Sequence, residues 1–252
     1  MSGADTAAPG GPQLEGQTVA VIGGSAGIGL ATAKRARAEG GEVILTGRNP
    51  EHLAAAAEEV GARATAAFDA EDDAALERFF AELDGPIDHV MVTAGAPYYG
   101  SLDELDFAKA RQGLTGHPML MLGVAKFARG RVRDGGALIF MGGTGARRPA
   151  VGLTVAAATT AALPALAANL ALEVAPLRVN VIAAGFVDTP LSASVLGDDL
   201  EARRQGLRET LPIGRVVGPD DVAALAIQLM ANTALTGATY DIDGGQQLVP
   251  RG

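Results

Sequence analysis

Short apolar runs alternate along the chain with longer stretches whose apolar positions recur every three or four residues. The runs Thr18–Ile22, Glu42–Thr46, Ala64–Phe68, His89–Thr93, Ala137–Met141, Val179–Ala183 and Thr239–Ile242 predict strands. Between them, Ile28–Glu39, Pro50–Val60, Ala74–Leu83, Leu105–Phe127, Val155–Ala175 and Pro219–Met230 predict helices. Strand–helix alternation on this scale implies a parallel sheet, because parallel neighbours need a crossover that covers a face. Right-handed crossovers then give one α/β domain, a doubly wound Rossmann-type sheet of seven parallel strands with helices on both faces. Its ligands are expected at the carboxyl ends of the strands.

Residues 1–14 are small and polar and are expected to form a disordered tail, with the domain running over 15–249. The longest break in the alternation, 185–218, carries one short helical pattern, Asp198–Glu209, and is expected to be a lid over the site. Val155–Ala175 is apolar nearly all round, which predicts burial on every side. One side meets the sheet. The other is expected to meet a second subunit, so that Leu105–Phe127 and Val155–Ala175 build a homodimer or homotetramer.

The first predicted strand runs into Gly23-Gly24-Ser25-Ala26-Gly27-Ile28-Gly29 and then into a helix. Gly23 lets the chain leave the strand sharply. Gly27 and Gly29 let backbone N–H groups approach a phosphate and let the helix lie close on the sheet. The helix N-terminus adds unpaired N–H groups and partial positive charge.

Composition narrows the function. There is no cysteine, which excludes disulfides and thiolate zinc sites, and His52, His89 and His117 are too scattered to suggest any metal centre. The net charge is −9, with the positive charges dispersed, which argues against a nucleic-acid partner. No apolar run is expected to reach the roughly 20 residues that span a bilayer. The first residues lack the basic start and apolar stretch of a signal peptide, and a cytoplasmic protein acting on a small molecule is expected.

The ordered set of motifs resembles the short-chain dehydrogenase/reductase family from about Leu14 to Val249. The opening loop is similar to that family's T-G-x-x-x-G-I-G, with Ile22 in the threonine position. Thr93-Ala94-Gly95 resembles N-N-A-G, and Asn180–Thr189 resembles N-x-V-x-P-G-x-x-x-T, with Ala184 in place of proline. Asp243-Gly244-Gly245 resembles the closing D-G-G. The resemblance implies a dinucleotide held by Gly23, Ser25, Ala26, Gly27, Ile28 and Gly29. It places Asp69 and Ala70 at the adenine, Ala94 and Gly95 along the cofactor, and Gly185, Val187 and Thr189 toward the nicotinamide. Where an acidic residue selects NAD by bonding its ribose, this chain has Gly47 followed by Arg48. A guanidinium suits a 2′-phosphate, so NADP(H) is expected in preference to NAD(H).

The same resemblance implies a serine, a tyrosine, a lysine four residues later, and an asparagine as the catalytic set. By register these positions fall at Gly143, Ala156, Thr160 and, for the asparagine, near Leu114. No Tyr-x-x-x-Lys exists in the chain, whose only tyrosines are Tyr98, Tyr99 and Tyr240. Hydride delivery to a ketone makes an alkoxide that must be protonated as it forms, and positioned acid–base catalysis is worth about 10²–10⁴-fold. Tyr98, Tyr99 and His117 are the candidate replacement acids. Arg147, Arg148 and Asp188 are further polar candidates near the site. Three functions follow: a reductase of non-standard mechanism acting on a carbonyl, imine or conjugated alkene; a cofactor-binding sensor or partner subunit without catalysis; and a non-redox isomerase or lyase on the same fold.

Overall fold

The computed structural model describes residues 11–249. In chain order the elements are β1 (Thr18–Ile22), α1 (Gly27–Ala38), β2 (Glu42–Gly47), α2 (Pro50–Val60), β3 (Ala64–Ala67), α3 (Asp73–Ala81) and β4 (Ile87–Val92). They continue with α4 (Phe107–Ala128), β5 (Val132–Gly143), α5 (Thr154–Glu173), β6 (Arg178–Ala184), α6 (Pro190–Leu196), α7 (Leu200–Thr210), α8 (Pro219–Ala231) and β7 (Thr239–Ile242). All seven strands are parallel, in the order β3-β2-β1-β4-β5-β6-β7. The chain fills the sheet outward from β1 to β3, then returns to β4 beside β1. That reversal leaves a crevice beyond the carboxyl ends of β1 and β4, where doubly wound sheets bind ligands.

Side-chain alternation divides the core. Ala20 and Ile22 of β1 face α3, α4 and α5, packing with Leu76, Phe80, Val124 and Leu163. Val19 and Val21 face α1, α2 and α8, packing with Ala33, Leu53, Val222 and Ile227. Strands buried on both faces read as continuous apolar runs, which is why the pattern was visible in sequence.

Four expectations change. Leu14, assigned to the tail, is fully buried, and its N–H donates to the Glu39 carbonyl at 2.9 Å, so the ordered chain starts earlier. The rest of the expected tail, residues 1–10, lies outside the described residues. β5 begins at Val132, through the charged stretch Arg133-Asp134-Gly135, beside a register shift between Ile87 and His89. α6 was not anticipated. It forms because Thr189 and Ser192 make reciprocal cap bonds ahead of Pro190 at its first position. Finally, α5 is long and apolar enough to span a membrane by length and composition, contrary to the expectation that no segment would be. It packs instead as a core helix of the domain: Ala156, Thr159, Leu163, Ala167 and Leu170 are buried on one face. Its opposite face, including Leu172, is exposed, so burial on every side does not occur within one chain.

Two buried polar groups brace the amino end of the sheet. Arg178 is 5% exposed and has no carboxylate partner among the described residues; its guanidinium donates to the carbonyls of Gly135, Leu229, Met230, Asn232 and Leu235 at 2.6–3.3 Å. Three of these close the C-terminus of α8, where a cation is favoured. His89 on β4 is equally buried. Its Nδ1 accepts from the Ala137 N–H at 3.1 Å and its Nε2 lies 2.6 Å from Gln17 Oε1. Burial, aided by the Arg178 charge, holds its pKa down at about 3.

Candidate functional site

The loop between β1 and α1 is shaped by what cannot fit in it. Gly23 has φ +94°, and a Cβ there would stand 2.7 Å from the Ala94 nitrogen. A Cβ on Gly29 would stand 2.2 Å from the Gly23 carbonyl oxygen. Thr93, at the end of β4, fastens the turn: its hydroxyl donates to the Gly23 carbonyl at 2.9 Å. Sequence reasoning used Thr93 only as a motif letter and missed this role; a hydroxyl directly after a buried strand, beside a glycine turn, was the available signal. The Thr93 and Ala94 N–H groups both donate to the Ile22 carbonyl, so the β4 end and the glycine turn move as a unit.

α1 starts at Gly27 with Ala26 as its N-cap, and no side chain caps it. Its first turn carries no acidic residue. The open N–H groups and the helix dipole are therefore left for an anion. Across the cleft, Thr189 stands 3.5 Å from where a Gly27 Cβ would be, which puts Thr189 at the lip of the glycine loop. At the end of β2, Gly47 is buried, and a Cβ there would meet Ser25 Oγ at 3.1 Å. Arg48 is exposed beside it, and Asn49 turns away to cap α2. Asp69 is exposed and accepts from the Glu71 N–H, whereas the Ala70 methyl is in the core, so Ala70 offers only backbone.

Gly185 and Val187 serve the base of the lid. A Cβ on Gly185 would lie 2.5 Å from Gln246 Oε1, which itself accepts from the Phe186 N–H. Val187 bridges to Val217, joining the two ends of the 185–218 segment. Asp188 receives a two-pronged bond from Arg204 of α7 at 2.7 and 2.9 Å, which ties the lid to its own base.

Gly143, Ala156 and Thr160 come together where β5 ends and α5 begins. A Cβ on Gly143 would touch Thr160 Cγ2 at 3.3 Å. The Thr160 hydroxyl donates back to the Ala156 carbonyl at 2.9 Å, and Ala156 is buried. Leu114, placed near the asparagine position, is 43% exposed; the neighbour that faces inward is Gly113. A Cβ on Gly113 would be 2.7 Å from Tyr98 Cβ and 3.1 Å from Val155, and the Gly113 carbonyl accepts from Thr159 at 2.9 Å.

Of the candidate acids, Tyr98 lies against Gly113 of α4 and His117 reaches the Met141 carbonyl of β5. The Tyr98 hydroxyl accepts from the Asp106 N–H at 3.1 Å, at the start of α4. Tyr99 is 49% exposed, and partial burial raises its phenol above the ordinary range, the wrong direction for an acid. His117 packs its ring against Gly95, where a Cβ would be 2.9 Å from Nδ1. Burial lowers the His117 pKa, against the pull of Glu71 and a hydrogen bond to the Met141 carbonyl. Arg147 pairs with Asp241, and Arg148 donates to the Val249 carbonyl at 2.9 Å. Both fasten the chain after β5 to the C-terminal segment.

Comparison with known proteins agrees with this architecture. The profile of the family described as Enoyl-(Acyl carrier protein) reductase matches residues 23–247. The short-chain dehydrogenase/reductase ATR9 of Stachybotrys chlorohalonatus is 31% identical, over 93% of this chain and 98% of its own length. Among solved structures, the MalC Reductase/Diels-Alderase of Malbranchea aurantiaca superposes with a TM-score of 0.86 at 26% identity, covering 94% of this chain and 98% of MalC. A small-chain dehydrogenase in complex with NADPH superposes at 0.79 with 27% identity, covering 92% and 99%. The glycine turn braced by Thr93, the β1–β4 crevice and the matched span together establish that this chain belongs to the short-chain dehydrogenase/reductase family of oxidoreductases.

Proposed function

We propose that the chain is an NADP(H)-dependent reductase of non-standard mechanism, delivering hydride to a small organic imine, conjugated alkene or activated carbonyl that needs no tyrosine acid. One juxtaposition carries this reading: an open dinucleotide cradle stands next to a floor made of Gly143, Ala156 and Thr160. The cradle fits the cofactor. The uncapped α1 N-terminus and the glycine N–H groups suit a pyrophosphate, and exposed Arg48 beside Gly47 suits a 2′-phosphate where an acidic side chain would repel it. Asp69 stands for the adenine and Thr189 for the carboxamide. The similarity to an NADPH-bound relative supports the choice of cofactor.

When bound, the cofactor supplies the hydride. The chain's own part is to hold the acceptor over that face and exclude water. An iminium becomes a neutral amine on accepting hydride, so no proton is needed at that moment. A conjugated acceptor spreads the new charge over several atoms. An isolated ketone concentrates it on one oxygen, and the Gly143–Ala156–Thr160 floor has no phenol to protonate it. The threonine hydroxyl is committed to a helix carbonyl and, as an alcohol, is far too weak an acid. That MalC is named both reductase and Diels-Alderase supports a scaffold tolerant of chemistry outside ketone reduction.

A homo-oligomer belongs to the same proposal. Leu114, Met119 and Leu122 on α4 and Leu172 on α5 leave an apolar face exposed, suited to a second copy. Calorimetry with NADPH and NADH, followed by stopped-flow NADPH oxidation with an iminium, an enone and a ketone, tests the proposal. Tight NADPH binding with oxidation by the first two supports it. Binding without oxidation by any acceptor favours the sensor or the non-redox isomerase.

A further inference from the structure

An acidic side chain stands on the lip of the cradle. Asp188 directly precedes Thr189, whose Cβ lies 3.5 Å from where a Gly27 Cβ would be. Neighbouring Cα atoms are about 3.8 Å apart, so the Asp188 carboxylate is on the order of 10 Å from the glycine loop. That is about one Debye length at 0.1 M salt, close enough for its charge to act on a bound dinucleotide.

Arg204 masks that charge. Its guanidinium donates to both carboxylate oxygens, at 2.9 and 2.7 Å, a two-pronged pair of fixed geometry. The side chains are 29% and 31% exposed, which keeps the pair partly out of water and weakens screening. The sequence of α7 builds this placement. Leu207 is its buried residue and sets the rotation of the helix. Arg203 and Arg204, one turn earlier, are then turned to the base of the lid, Arg203 lying 5.8 Å over the Phe186 ring and Arg204 on Asp188. The Asp188 N–H donates to the Val217 carbonyl at 3.0 Å, so the backbone that carries the carboxylate is fixed as well. Glu201 accepts from both Arg204 and Arg208, which closes a chain of two acids and two bases with no net charge.

A nicotinamide dinucleotide changes charge only at its ring. The oxidised ring is positive and the reduced ring neutral, while the phosphates are the same in both. A bare carboxylate near the ring favours the oxidised form, and a masked one does not. We propose that Arg204, by neutralising Asp188, is a specificity-determining residue that shifts the site's preference toward the reduced cofactor. This rests on the reductase reading above, which puts the nicotinamide beside Thr189. A site balanced in this way suits a protein that takes up NADPH and releases the oxidised form after hydride transfer.

Calorimetric titration of the full chain with oxidised NADP and with NADPH reads the ratio of the two dissociation constants, in which contacts to adenine and phosphates cancel. Arg204→Ala bares the carboxylate and is expected to shift that ratio about threefold to fivefold toward the oxidised form, the upper worth of an exposed ion pair. Arg204→Gln makes the same shift should the alanine variant misfold, and Arg204→Lys keeps the wild-type ratio. Asp188→Asn bares the guanidinium and is expected to shift the ratio the opposite way. Arg204→Gln combined with Asp188→Asn returns it to the wild-type value. At about 1 M salt, where the Debye length is roughly 3 Å, the shifts shrink. A pair that only tethers the lid weakens both forms alike when broken and leaves the ratio unchanged. An unchanged ratio, or shifts of the same sign in Arg204→Ala and Asp188→Asn, overturns this inference and leaves the reductase reading intact. A wild type that binds neither form defeats the reductase reading, and this inference with it.

Discussion

Protonating His89 should unfold the protein from the amino end of the sheet. The imidazole is 4% exposed, with Nδ1 accepting from the Ala137 N–H, so the native state holds it neutral. Its native pKa is about 3 against 6.5 for a free histidine, lowered first by burial and then by the nearby Arg178 charge. A group whose native pKa is depressed keeps its full contribution above the unfolded value and loses it as pH falls toward the native value. Below pH 6.5 the unfolded chain therefore binds one proton more than the native chain, until about pH 3. Each pH unit in that window removes up to about 1.4 kcal/mol of stability. Two units remove roughly 2–3 kcal/mol, a large share of the 5–15 kcal/mol that holds a typical domain together. Urea unfolding of the wild type and His89→Gln between neutrality and about pH 4.5 isolates the effect, because carboxylate contributions are common to both. The wild type should be the more stable near pH 7, and its stability should fall more steeply by close to one proton per molecule. Parallel pH profiles would refute the assignment of a neutral, unprotonatable His89.

Other consequences follow from single contacts. Arg178→Ala takes the guanidinium from five carbonyls, of which Leu235 keeps the Asn180 amide and Asn232 the Leu235 N–H, and should cost about 3 kcal/mol in urea unfolding; Arg178→Lys should recover little, since one ammonium cannot reach them all. Gly29→Ala should abolish NADPH binding by calorimetry while the chain stays folded by circular dichroism, because its Cβ collides with the Gly23 carbonyl and the Thr93 hydroxyl, both at the glycine turn. Arg48→Ala should weaken NADPH by about tenfold or more and leave NADH nearly unchanged, consistent with a charge-assisted pair to phosphate. Tyr98→Phe should cost about 1 kcal/mol of stability through the lost Asp106 N–H bond and leave NADPH oxidation within about threefold.

The fold was legible because its signals are local. A strand buried on both faces writes an unbroken apolar run, and the Gly23–Gly27–Gly29 spacing writes the turn that follows. Thr189-Pro190 also carried a local signal, a cap before a proline, but seven residues of α6 are too few to show helical periodicity. What sequence could not show is where a side chain spends its bonds. That the Tyr98 hydroxyl oxygen accepts from the Asp106 N–H, eight residues on, could not be read from sequence. Asp188 and Arg147 look like polar site residues until Arg204 and Asp241 pair with them across distances set by the tertiary fold. Leu114 and Gly113 differ by one position, and only the rotation of α4 decides which faces α5.

The most direct measurement is single-turnover oxidation of bound NADPH, followed by absorbance, with a preformed iminium and an isolated ketone of the same carbon skeleton. Reduction of the iminium with the ketone slower by about 10²-fold or more, the worth of a missing positioned acid, is the predicted result. Equal rates for the two acceptors would show that a protein acid is present after all and would contradict the role given to Gly143, Ala156 and Thr160.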